Sequence, residues 1–312
     1  MMIPVQLVTG FLGAGKTTYM NRLLAATNER ILLIVNELGS VNLDEQLIVQ
    51  MDQEQIELSN GCICCSIQND LSKTFYQLAA RDKTFDRVVI ETTGVADPAP
   101  IIQTIYYDDY LRSRFKLTAI LTVVDASQMD RDLFIEGIHQ IAYADMILLN
   151  KTDLVDRAAL ERAYERIRTI NPTVRVIETV QTEGDYDLLE NTFQLSRVDE
   201  TVLSELTDGH GSVASLRAIT LTTDVPLARD RVTRYVREVL MHYEEDLYRL
   251  KAIVRLDGEA SKFVVQATNQ LMGATFANEA SDDSRSVFVW IGKELDRDAL
   301  ERGLKACEVN QI

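Results

Sequence analysis

Short apolar runs bounded by turn residues recur through the first half of the chain, at Pro4–Thr9, Ile31–Asn36, Arg87–Glu91, Leu117–Val124, Met146–Asn150 and Val174–Ile177. Runs of this length without strict alternation are the pattern of strands buried on both faces, as in a parallel sheet. Apolar positions between them recur at helical spacing over Lys16–Ala26, over Leu71–Ala80 and over Ala158–Ile170. In the second of these Leu71, Phe75, Leu78 and Ala79 share a face, and in the third Leu160, Ala163, Tyr164 and Ile167 do. Strand and helix in alternation predict an α/β fold with a doubly wound, mostly parallel sheet. The punctuation agrees: Asp97-Pro98 reads as a helix start, and Asn171-Pro172 stops the helix before it.

After about Phe193 the apolar pattern fades into a polar stretch containing Asp208-Gly209-His210-Gly211-Ser212, which predicts an interdomain linker over 196–215. Beyond it the pattern predicts strands at Leu216–Thr222, Arg249–Leu256, Lys262–Ala267 and Ser286–Ile291. One helix carries Val232, Tyr235, Val236, Val239, Leu240 and Tyr243, and a last one groups Leu300, Leu304 and Cys307. Asp257-Gly258 is a hairpin signal. The expectation is a larger domain over 1–195 and a smaller C-terminal α+β domain over 216–312, its sheet mostly antiparallel and covered by helices.

Composition narrows the partners. The chain has 312 residues and a net charge of -16, a balance that repels nucleic acid and anionic membranes alike. Met1-Met2-Ile3-Pro4 has no basic leader, and no apolar run approaches the roughly 20 residues that span a bilayer, so a soluble, cytoplasmic protein is expected. Three of the four cysteines, Cys62, Cys64 and Cys65, fall within four residues, too close for a disulfide framework and suited to metal or redox chemistry.

Gly10-Phe11-Leu12-Gly13-Ala14-Gly15-Lys16-Thr17 follows a predicted strand and opens a predicted helix, the context a phosphate-binding P-loop requires. Backbone N–H groups of Gly13, Ala14, Gly15, Lys16, Thr17 and Thr18 are candidates to cradle phosphates, Lys16 to neutralise them, and Thr17 to offer a hydroxyl to Mg²⁺. Glu91 ends a buried strand, where ligands gather in open α/β sheets, and is the candidate acid beside Mg²⁺; Gly94 would let a backbone N–H approach the γ-phosphate. Asn150-Lys151-Thr152-Asp153 follows another core strand about 130 residues beyond the P-loop and has the order of a guanine-specificity motif. The Asp153 carboxylate can accept from the N1 and N2 donors of guanine, whereas adenine would leave it unpaired at a cost of at least about 1–3 kcal/mol, so GTP is selected over ATP. Asn150 and Lys151 would brace the loop and cover the base. Cys62-Ile63-Cys64-Cys65 offers soft thiolates that favour Zn²⁺, with Co²⁺ or another transition metal as alternatives, and leaves a tetrahedral ion one open position.

Together Gly10–Thr18, Asn36-Glu37, Asn60-Gly61-Cys62-Ile63-Cys64-Cys65, Glu91-Thr92-Thr93-Gly94 and Asn150–Asp153 resemble the CobW branch of the P-loop GTPases, which also include HypB and UreG. Tyr248–Gly258 and Ser286–Lys293 are similar to that family's C-terminal domain. The resemblance implies a P-loop NTPase fold and a slow GTPase that binds zinc or another divalent transition metal and supplies it to a client metalloprotein, as monomer or homodimer. Glu37 would order the shell of Mg²⁺ or join the metal site. Val35 and Ser40 stand where relatives often carry acids, and with histidine only at 139, 210 and 242 there is no storage loop. The rivals are an ATP-using kinase on the same loop, which the guanine motif opposes, and a thiol sensor or metal buffer without turnover.

Overall fold

The computed structural model describes residues 2–35, 55–57, 66–80, 85–94, 96–129, 135–184, 209–213, 215–244, 246–268, 271–280 and 285–309. Its contacts divide the chain into two units, Met1–Tyr164 with Arg175–Gln194, and Glu165–Val174 with Leu195–Ile312.

In the first unit the strands are β1 (Ile3–Gly10), β2 (Ile31–Val35), β3 (Gln55–Glu57), β4 (Arg87–Glu91), β5 (Phe115–Asp125), β6 (Met146–Asn150) and β7 (Arg175–Glu178). They form one sheet in the order β3-β2-β4-β1-β5-β6-β7, every neighbouring pair parallel. Helices α1 (Lys16–Ala26), α2 (Ser66–Ala80), α3 (Ala99–Tyr106), α4 (Asp109–Arg114) and α5 (Ile135–Tyr143) occupy the connections, as does α6 (Arg157–Ile170), whose residues from Glu165 on are grouped with the second unit. β4 and β6 are buried at every position, as continuous apolar runs require. Alternate strand residues pack to opposite sides: Val8, Leu33, Val89, Leu121 and Leu148 meet Tyr19, Met20 and Leu23 of α1 on one face. α3, α4 and α5 lie against β5, and Phe75 of α2 meets Phe115 edge to face at 4.7 Å. Because all strands run the same way, the loops after β1, β4, β5 and β6 open at one end of the sheet.

In the second unit β8 (Gly209–Val213), β9 (Leu216–Thr223), β10 (Leu247–Val254), β11 (Ser261–Thr268), β12 (Leu271–Ala280) and β13 (Ser286–Lys293) form an antiparallel sheet in the order β12-β11-β10-β13-β9-β8. One face packs on α7 (Arg229–His242) and α8 (Arg297–Lys305) through Leu250, Phe288 and Trp290 from the sheet, Val232, Tyr235 and Val236 from α7, and Leu300 and Leu304 from α8. Gly258, at φ 75°, turns the chain between β10 and β11. Within the stretch expected to be a linker, Gly209–Val213 is a strand, paired with β9 from Gly209↔Thr220 to Val213↔Leu216. Its glycine-rich sequence joins the sheet through backbone bonds at an edge, so no side-chain alternation marks it. Among the described residues no helix is long and apolar enough to cross a membrane.

Candidate nucleotide-binding site

The loop after β1 enters α1 directly. Gly13 and Gly15 take left-handed φ values of 73° and 114°, and Ala14 is fully buried between them. A β-carbon at Gly15 would lie 2.6 Å from the side-chain nitrogen of Asn150, so packing as well as dihedral angle requires glycine there. Lys16 is buried at 8 % exposure and its Nζ donates to the carbonyls of Gly10 at 2.9 Å and Phe11 at 3.3 Å. The ammonium is thus held inside the loop, beside a turn that Ala14 N–H closes on the Phe11 carbonyl at 3.1 Å. Thr17, the second residue of α1, donates its hydroxyl to Glu91 Oε1 at 3.5 Å, while Thr18 is exposed.

Glu91 is the last residue of β4 and is buried. The chain continues beside β1, Thr92 N–H donating to the Val8 carbonyl at 3.0 Å, and at Gly94 it presses on the P-loop. A β-carbon on Gly94 would sit 2.5 Å from the backbone nitrogen of Leu12. Thr17 and Glu91 therefore present a hydroxyl and a carboxylate side by side next to the phosphate loop, a hard-oxygen donor pair of the kind Mg²⁺ prefers.

The third loop leaves β6. Asn150 is 2 % exposed and uses both ends of its amide: Nδ2 donates to the Ala14 carbonyl at 2.9 Å, and Oδ1 accepts from Thr182 N–H at 2.9 Å and Thr179 Oγ1 at 3.2 Å. Lys151 sits in the left-handed region at φ 59° and ψ 36°, and its Nζ reaches Asp125 Oδ2 at 2.6 Å. Asp153 follows in the short 3₁₀ turn Thr152–Leu154 and is exposed.

The structure thus brings together Gly13, Ala14, Gly15, Lys16, Thr17, Glu91, Gly94 and Asn150, with Lys151 and Asp153 on the adjoining turn. Glu37, Cys62, Cys64 and Cys65 lie outside the described residues. Among the described residues no group of three or more His, Cys, Asp or Glu side chains could hold a metal ion.

Two participants were not anticipated. Asp125 ends β5 beside Asn150 of β6, accepts from Ser127 N–H and Oγ, and clamps the Lys151 ammonium. The signal for it was the same that marked Glu91, an acid at the carboxyl end of an apolar strand, but the apolar run read as ending at Val124. The turn after β7 is the second: Gln181 and Thr182 both have positive φ, 51° and 59°, and Thr182 is buried against Asn150. Non-glycine residues rarely hold such angles unless their surroundings fix them, as Asn150 does here.

Both parts of the chain match families of known proteins. Residues 4–178 match the CobW/HypB/UreG nucleotide-binding domain, and residues 216–308 match the cobalamin synthesis protein cobW C-terminal domain. The zinc chaperone YjiA of Escherichia coli (strain K12) is 35% identical over 314 residues, covering 96% of each chain. The zinc chaperone CobW of Pseudomonas aeruginosa is 28% identical over 345 residues, covering 97% of this chain and 91% of its own length. The crystal structure of Zn(II)-bound YjiA GTPase from E. coli superposes with a TM-score of 0.71 at 30% identity, over 99% of this chain and 100% of that one. With the nucleotide-binding domain and the C-terminal domain matched in order along one chain, the protein belongs to the CobW/HypB/UreG family.

Proposed function

We propose that the protein is a GTP hydrolase that binds zinc or another divalent transition metal and hands it to a client protein in the cytoplasm. A P-loop domain over 1–195 would precede the C-terminal domain, which through the pairing of β8 with β9 takes in Gly209–Val213 as well as 216–312. The observation that carries the nucleotide half is the 2.9 Å bond from Asn150 to the Ala14 carbonyl, which ties the guanine-motif loop to the P-loop in a single site. The names of the E. coli and P. aeruginosa relatives, both zinc chaperones, support the metal half.

In this reading the P-loop amides and Lys16 bind the β- and γ-phosphates, Gly94 meets the γ-phosphate through its backbone N–H, and Asp153 selects guanine. Lys151, steered by Asp125, covers the base. Thr17 and Glu91 hold Mg²⁺, with Glu37 contributing to its shell; the bound ion supplies positive charge against the phosphate oxygens. Phosphoryl transfer needs positioning and charge stabilisation more than covalent help, and these residues provide both. Cys62, Cys64 and Cys65 hold the metal cargo as thiolates. β2 and β4 pair with Val35 opposite Glu91, and the stretch carrying Glu37 and the cysteines is the chain between those two strands. Nucleotide state and metal affinity are therefore coupled, each changing the other by the same factor.

Turnover of GTP against ATP tests the nucleotide reading. The parental protein is expected to hydrolyse GTP and discriminate against ATP, Lys16→Ala to lose the activity, and Asp153→Asn to shift preference toward xanthosine triphosphate. A Lys16→Ala protein with parental GTP turnover would overturn it.

A further inference from the structure

Most of α5 is buried, from Gly137 through Tyr143, and its middle holds two polar residues, His139 and Gln140. A primary amide in such a place is costly unless its hydrogens are taken up. Gln140 is 1 % exposed, and Nε2 donates to two carbonyls of one loop, Gly94 at 3.3 Å and Ala96 at 3.1 Å. One residue earlier, His139 Nδ1 meets Asp97 Oδ2 at 2.7 Å, while the other Asp97 oxygen accepts from the N–H of Ala99, the first residue of α3, at 2.9 Å; the N-cap of α3 is Pro98, one residue later than the sequence predicts. A carboxylate only accepts, so Nδ1 carries the proton of that bond.

α5 is itself pinned to the sheet, the Gln140 carbonyl accepting from Thr122 Oγ1 of β5 at 2.9 Å. A continuous set of contacts then runs from β5 through Gln140 to Gly94, and from Gly94 to Leu12 of the P-loop. The loop so gripped is the one that follows Glu91. Neither α5 nor its two polar residues belongs to a phosphate, base or metal motif, and no contact in the proposed chemistry accounts for an amide spent on these two carbonyls.

We infer that Gln140, with His139 as a second fastener, is a positioning residue for GTP: it fixes the Gly94 backbone against the P-loop at the distance the terminal phosphate requires. The inference rests on the reading of Gly94 as a γ-phosphate contact. It predicts an effect confined to ligands that carry that phosphate, because GDP does not reach the loop.

The test compares affinity for GTPγS and GDP by calorimetry, and kcat for GTP, in the parental protein and in Gln140→Leu, which keeps the bulk and removes both donors. The GTPγS-to-GDP affinity ratio is expected to fall roughly tenfold, the scale of one or two buried hydrogen bonds, with kcat falling at least as far and GDP affinity within about twofold of the parental value. His139→Ala should move the ratio in the same direction, and His139→Asn, whose amide can replace Nδ1 as donor to Asp97, should restore it. This second pair keeps the test open if Gln140→Leu does not fold. An unchanged ratio in Gln140→Leu and His139→Ala, or an equal loss of GTPγS and GDP affinity in both, would overturn the inference. A parental protein that bound GTPγS without hydrolysing GTP would instead sink the function on which it stands.

Discussion

At Asn150 one side chain holds two loops that are far apart in sequence. Its amide takes the Ala14 carbonyl on one side and Thr182 N–H and Thr179 Oγ1 on the other, all in a buried setting. Asn150→Ala removes these three bonds from a buried setting, so urea unfolding should show a loss of about 2–3 kcal/mol, with guanine-nucleotide affinity reduced as well. Asp125 acts through Lys151, and Asp125→Ala should weaken GTP and GDP alike by roughly tenfold in calorimetry, since a charge-assisted bond to the lysine is lost while the phosphate site is untouched. Cys307 follows a different logic. Burial pushes its thiol up to about 11 from an ordinary value of 9.0, and Sγ donates to the Gly303 carbonyl at 3.3 Å. The folded state therefore binds this proton more tightly than the unfolded state does. The stability it contributes is intact below about pH 9 and is lost as pH rises toward 11. Cys307 should resist alkylation at pH 8 in the native protein, as mass mapping after iodoacetamide can check; rapid native modification would contradict the burial. Single residues with a motif around them, such as Lys16 or Asn150, were legible in the sequence. Asp125 and Thr182 were not, because their roles come from register and from a bond across 32 residues rather than from local spacing.

Among elements, the buried strands were the most legible. The runs at Arg87–Glu91 and Met146–Asn150 coincide with β4 and β6, since continuous apolar sequence has no other stable use in a doubly wound sheet. The apolar face read for the helix carrying Val232 to Tyr243 is the buried face of α7. What escaped included β3, α4 and three further elements. β8 and β12 lie at the two edges of the second sheet, where backbone pairing alone suffices and side chains need not alternate. α5 escaped because it is only nine residues long, so its apolar spacing does not stand out beside the strands that flank it. The α7–α8 contact offers a test of packing at this scale. A β-carbon at Gly303 would come within 2.3 Å of the Tyr235 ring, whose hydroxyl is fixed on the Leu300 carbonyl at 2.8 Å. Gly303→Ala should destabilise the C-terminal unit by about 1–3 kcal/mol, seen as a lower thermal midpoint, while a neutral effect would mean that α8 can shift away from α7.

On the scale of the whole molecule, the first unit gathers three loops at one end of a parallel sheet and the second supplies an antiparallel sheet backed by two helices. The acidic balance of -16 favours a cation as ligand, while the anionic nucleotide of the proposed activity depends on the local charge of Lys16. The proposed activity joins these ligands through the strand pair β2 and β4, with Val35 in register opposite Glu91 and the cysteine motif in the chain between them. That linkage is the central claim, and zinc titration of the purified protein with GTPγS and then with GDP bound measures it directly. The account predicts zinc affinities that differ by at least about fivefold between the two nucleotide states, the lower range of coupling between linked sites. Equal affinities in the two states, with both nucleotides shown to be bound, would contradict it.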